Sequence, residues 1–122
     1  MVFPEPLVAG ELSLLAEPGP PLVVHWVGKA TLRNAVAELA PWTAGLIAEA
    51  QKSGSVELRF EKLQHANSST ILAIVKLAQQ LLTTKVRVRI RYDADQRWQK
   101  FTFESFSGFD RSGQLLELAG GA

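Results

Sequence analysis

The chain has 122 residues, 47% of them apolar, and a formal net charge of +1. That length suits one compact domain able to bury about two-thirds of its unfolded surface, and that apolar content excludes a disordered chain. With no cysteine there is no disulfide framework, thiolate metal site, iron–sulfur cluster or cysteine nucleophile, and no apolar run is long enough for a transmembrane helix.

No lysine or arginine precedes Lys29, and Glu5, Glu11 and Glu17 interrupt that region. A secretory signal is therefore not expected, and the chain reads as cytoplasmic. Residues 1–6, with Pro4 and Pro6, read as an N-terminal arm. The segment Glu17-Pro18-Gly19-Pro20-Pro21 is a strong turn, because proline fixes φ and glycine admits positive φ. Leu7–Ala16 and Leu22–Val27 on either side read as two strands, the second ended by Gly28-Lys29-Ala30. Residues 32–52 read as helical. Pro41 is expected in the first turn of the main helix, 41–52, because an interior proline removes a hydrogen bond. Leu46, Ile47 and Ala50 form its apolar stripe, and Ser53-Gly54 stops it.

Residues 55–61 alternate cleanly. Val56, Leu58 and Phe60 face one way, and Glu57, Arg59 and Glu61 the other, as in a strand covered on one face. Residues 85–92 repeat the pattern with Arg87, Arg89 and Arg91 on the polar face. The apolar run between them is too long for a strand. Lys76, Gln79 and Gln80 sit at helical spacing, so residues 69–83 read as a helix with a narrow wet stripe, its core side including Leu72 and Leu77. Strand–helix–strand implies a parallel pair, which sets Glu57 and Glu61 beside the arginines. Trp98, Phe101 and Phe106 are expected on a short helix packed on the core, and residues 115–118 form a last short strand. The reading is an α/β domain over residues 7–118, with a mixed four- to five-stranded sheet, helices covering mainly one face, and a tail at 119–122.

His25 and His65 are the only histidines, and neither has a carboxylate or second histidine at ligand spacing, so neither a metal nor a cofactor is expected. Gly28-Lys29-Ala30-Thr31 fails as a phosphate-binding loop, because Val23 stands where its first glycine must be. No Gly-x-Ser-x-Gly elbow exists, and His65 with Ser68 lacks an orienting acid. The distinctive segment is Leu63–Ile71, where a strand ends and small polar residues open a buried helix. Asn67 or Ser68 can cap that helix. An exposed serine there also tolerates a phosphoryl group, since free amides and the helix dipole favour an anion.

The order of elements, the junction Asn67-Ser68-Ser69 and the C-terminal strand resemble the STAS domain of the anti-sigma-factor-antagonist type, nearest to small stand-alone bacterial regulators. The resemblance covers roughly residues 7–118. In that family an Asp-Ser-Ser/Thr-Gly segment opens the helix, and its first serine is phosphorylated by a partner serine kinase. The resemblance puts Ser68 on the phosphorylated position, with Ser69 next in line, and Asn67, Ser68, Ser69 and Thr70 at a partner-binding surface. Asn67 replaces the usual Asp, and Thr70 replaces the usual Gly, adding a β-branched side chain where a partner's backbone approaches.

The expected function is a non-enzymatic signalling module. It binds a protein, either a serine kinase of anti-sigma type or a phosphatase, and phosphorylation at Ser68 switches that binding. The alternative is a structural adaptor subunit of a transporter or larger complex, without phosphorylation. An enzyme using Ser68 as nucleophile is the third reading. Nucleic acid is not an expected partner, because Glu57 and Glu61 interrupt the arginine face, and direct membrane insertion is not expected either. Leu12 and Leu14 on the first strand leave room for a homodimer through that edge.

Overall fold

The computed structural model describes residues 6–110 and 114–121, so Pro4 of the expected arm lies outside the described residues. The elements in chain order are β1 (Leu7–Ala9), β2 (Leu12–Glu17), β3 (Leu22–Ala30), α1 (Ala35–Ser53), β4 (Ser55–Arg59), β5 (Leu63–Ala66), α2 (Ser68–Thr83), β6 (Arg87–Asp93), α3 (Arg97–Glu104) and β7 (Leu116–Gly121). A 3-10 turn, Ser105–Phe109, follows α3.

The expected α/β class and mixed sheet are present, with seven strands rather than four or five. Two of the added strands have local causes. The expected strand 7–16 breaks at Gly10, whose φ is +62°, and folds back as the β1–β2 hairpin. Residues 63–66, where the sequence reading has a strand ending, form a separate short strand, β5, paired with the C-terminal part of β3. The last strand also continues beyond residue 118 to Gly121, through residues expected as a tail.

The strand order is β1-β2-β3-β4-β6-β7, antiparallel from β1 to β3 and parallel from β3 to β7. β3 pairs with β4 at Leu22–His25 and with β5 at Gly28–Ala30, so its partner changes halfway along. The register slips between Gly28 and Lys29. Gly28 has φ +102°, and a Cβ there would lie 2.1 Å from the Glu11 carbonyl oxygen, so only glycine fits this bulge.

One face of the sheet forms the core. Leu22, Val24, Trp26, Val56, Leu58, Phe60, Val88 and Ile90 are all at most 1% exposed. Each such side chain contributes about 1.5–3 kcal/mol on burial. Helices α1 and α2 cover this face through Leu39, Leu46, Ile74, Leu77 and Leu81. The third helix adds Phe103, whose ring stacks 4.5 Å from Phe60 and lies 5.9 Å from Tyr92. Of the three aromatics expected on the core, Trp98 and Phe106 pack there and Phe101 does not, its place being taken by Phe103. Phe103 and Phe106 are buried, Trp98 is half-buried, and Phe101 is 83% exposed. Helical spacing from Gln99 through Phe103 to Phe106 selects the inner face, and Phe101 falls opposite.

Pro41 lies inside α1, not in its first turn. The helix starts six residues earlier because Asn34 caps it, accepting from the Ala37 amide at 3.4 Å, while Glu38 accepts from the Asn34 amide at 3.1 Å. Pro41 is exposed, and the burial of Ala35 and Leu39 around it offsets the missing hydrogen bond. The expected stop holds: Gly54 adopts φ +82° and its amide donates to the Ala50 carbonyl at 2.8 Å. Leu77 is buried as expected, but Leu72 is 50% exposed, because it falls on the same side of α2 as Ser68 and Lys76. Leu12 and Leu14 are fully buried and β2 is an interior strand, so that edge of the sheet is β1 and those leucines offer no edge contact.

Candidate functional site at the start of the second helix

Two side chains at the start of α2, Asn67 and Ser69, hold the connection between β3 and α1, and Thr70 holds Asn67. Asn67 is the cap: its Oδ1 accepts from the Thr70 amide at 3.0 Å and from Thr70 Oγ1 at 2.7 Å. Its Nδ2 donates to the Leu32 carbonyl at 2.9 Å, and its backbone amide donates to the Ala30 carbonyl at 3.0 Å. Ser69 Oγ accepts from the Ala35 amide at 2.9 Å, so a side chain of α2 satisfies the first orphan amide of α1. The starts of α1 and α2 are thus one hydrogen-bonded unit.

This geometry accounts for the residues found at positions 67 and 70. An aspartate at position 67 would keep the cap but has no donor for the Leu32 carbonyl. Thr70 is fully buried and its hydroxyl turns back to Asn67, so its side chain points into the protein rather than toward a partner. Ser68 is the exception among the four. It is exposed, and its hydroxyl makes no hydrogen bond among the described residues. The cap belongs to Asn67 and not to Ser68.

The open face of the sheet carries the arginine ladder. Register sets Glu57 opposite Arg89, and Arg89 opposite Glu117. Glu57 is only 5% exposed, with its carboxylate accepting from Arg59 Nε and lying 3.8 Å from Arg89 Nη1. Arg89 Nε also lies 3.5 Å from Glu117, and Arg91 Nη2 lies 3.8 Å from Glu61. The expected neighbours of the arginines are therefore in place, and most of the ladder's charge is matched on the face itself. His25 pairs with Glu17 at the other side of this face. His65 is exposed and sits beside Lys29 in the register of β5 on β3. No group of three or more metal-ligating side chains occurs among the described residues. Among them, too, no helix is long and apolar enough to cross a membrane.

Gln99 was not anticipated. It is fully buried, and its Nε2 donates to the Phe60 carbonyl at 2.7 Å and the Leu63 carbonyl at 2.8 Å, while its Oε1 accepts from the Asp93 amide at 2.7 Å. One side chain thus bridges the gap where β4 ends and β5 begins. The only trace in the sequence is its position four residues before Phe103 on the inner face of α3. No protein-family model matches the chain, and no curated protein matches it.

Proposed function

We propose that the chain is a non-enzymatic, cytoplasmic regulatory module that binds a protein partner of serine-kinase, anti-sigma or phosphatase type, and that phosphorylation of Ser68 switches this binding. The observation that carries the reading is the division of labour at the start of α2. Asn67, Ser69 and Thr70 are held by internal hydrogen bonds, and Ser68 alone presents an unengaged hydroxyl to solvent. A phosphoryl group on Ser68 adds nearly two negative charges at a helix N-terminus, where the dipole favours them, and breaks none of those bonds. The surface offered to a partner changes while the fold does not. In this reading neither nucleic acid nor a membrane is the partner.

The test compares Ser68→Ala with Ser68→Asp. Both variants stay folded, and their affinities for the captured partner differ by at least tenfold, about 1.4 kcal/mol. The Asp variant binds more weakly, because an interface built around a neutral hydroxyl must desolvate the new charge. Mass spectrometry of protein from the native host finds phosphate on Ser68. Equal binding by both variants together with no phosphate leaves the structural-adaptor reading instead.

A further inference from the structure

We propose that the furrow between α1 and α2 seats an amphipathic helix of the partner protein, oriented by a carboxylate that pairs with Lys76. This deepens the docking reading above, and rests on the chain binding a protein but not on modification of Ser68.

The two helices pack side by side and leave a cavity of about 190 Å³ between them. Its α1 wall is the stripe Val36, Ala40, Ala44 and Ile47, and its α2 wall includes Ala73 and Lys76. A second cavity of about 430 Å³ continues it, sharing Ile47, Lys76 and Gln80 and running on to Thr83 and Thr84. From Ala73 to Thr84 the furrow extends about 16 Å along α2, which matches about three turns of a docked helix. Alanines on both walls let a backbone approach closely, and ridges spaced as on these helices are complementary to another helix. The furrow is lined mainly by apolar side chains and opens to solvent, so a helix seated in it turns an apolar face inward and a polar face outward.

Charge selects the occupant further. No acidic side chain lines either cavity, and Lys76 makes no ion pair among the described residues. A helix lying over Lys76 buries its ammonium, which is unfavourable unless the partner brings a carboxylate. The chain does not supply that helix itself. α2 would set Lys76 against Lys76, α3 presents Arg97 and Lys100 while its one acid, Glu104, accepts from the Tyr92 hydroxyl, and the acids of α1 are engaged, Glu38 by the Asn34 amide and Glu49 by Lys52. Half-exposed Leu72 lies one turn before Lys76 and one turn after Ser68, so Ser68, Leu72 and Lys76 share one side of α2.

A photo-crosslinking residue placed at exposed Ala44 of the full chain, in the native host, tests this directly. The expected product joins Ala44 to an amphipathic helical segment of another protein, with an aspartate or glutamate within one turn of the crosslinked residue. Lys76→Glu lowers the yield at least tenfold, Lys76→Arg keeps it within twofold, and changing the partner's carboxylate to lysine restores crosslinking to Lys76→Glu. Crosslinks only to a second copy of the chain overturn the proposal. So do crosslinks to a segment without a carboxylate, a yield indifferent to Lys76→Glu, or no crosslink at all. Ser68→Ala and Ser68→Asp in the same cells separate the two readings. Equal yields from both remove the switch and leave the furrow, whereas unequal capture with no effect of Lys76→Glu removes the furrow and leaves the switch.

Discussion

The two ends of the sheet are held together differently. At the end where β3, β4, β6 and β7 lie side by side, the ladder satisfies the backbone and alternation fills the core: Leu22, Val56, Val88 and Leu116 stand opposite one another on four strands. At the other end β4 stops, β5 takes its place beside β3, and the ladder no longer closes. There Gln99 bridges Phe60, Leu63 and Asp93, Asn67 bridges Leu32 and Thr70, and Ser69 holds Ala35. The first end is stabilised by many interchangeable apolar contacts. The second depends on a few polar atoms at fixed places. Substitution should therefore be graded by volume at the first end and by donor and acceptor count at the second.

Gln99→Leu is the most severe test of that contrast. It keeps the volume, removes this partner from the Leu63 carbonyl and the Asp93 amide, and leaves the Phe60 carbonyl with the Leu63 amide alone. At about 1–3 kcal/mol for each of those two groups, the expected loss is about 2–6 kcal/mol, read as a lower urea midpoint. Gln99→Glu does not rescue it, because the carboxylate lacks the donor both carbonyls need. A loss below about 1 kcal/mol would mean that water replaces the side chain and that this end does not depend on it.

Apolar truncation supplies the reference. Leu77→Ala, at a site 1% exposed, is expected to cost about 2–5 kcal/mol, and Leu72→Ala, at a site 50% exposed, less than about 0.5 kcal/mol. Equal losses from the two would contradict the assigned face of α2.

The same division governs what the sequence makes legible. Period-two alternation at 55–61 and 85–92 located β4, β6 and their ion-paired outer face, because every second residue repeats the message. The helix at 69–83 declared itself by length. The exchange of β4 for β5 was hidden, since it rests on one bulge at Gly28 and on a glutamine distant in sequence from the carbonyls it serves. Pro41 misplaced the start of α1, because the rule against interior proline is local and the burial of Ala35 and Leu39 is not. At the candidate site the segment 67–70 was legible as a helix start. Which of its hydroxyls is free was not, since that depends on Leu32 and Ala35, over thirty residues away.

Asn67→Asp isolates one bond at that junction. The cap acceptor remains, the donor to the Leu32 carbonyl disappears, and the expected cost is about 1–2 kcal/mol. Ser68→Ala, one residue on, removes a hydroxyl with no internal partner and should stay within about 0.5 kcal/mol of the parent. A cost at Ser68 equal to that at Asn67 would assign it a cap that the geometry gives to its neighbour.

The smallest effect lies beside the bridged gap and appears only in alkali. Tyr92, the single tyrosine, is 5% exposed and its hydroxyl donates to Glu104 at 3.1 Å. Burial is the first cause that raises its pKa above the ordinary 10.0, and the hydrogen bond and negative charge of Glu104 raise it further. Below pH 10.0 the phenol is protonated in folded and unfolded chains alike, so it adds no pH dependence. Above that value the unfolded chain loses the proton first, and stability falls as pH rises toward the folded pKa. Tyrosinate absorbance of the native protein should therefore begin at higher pH than that of the unfolded chain. Tyr92→Phe should remove this part of the alkaline loss, measured as the difference between the two proteins' urea midpoints across the range. Glu104→Gln should move the onset only part of the way back, because burial, the larger cause, remains. A native onset equal to that of the unfolded chain would place Tyr92 in solvent and open the packing between β6 and α3.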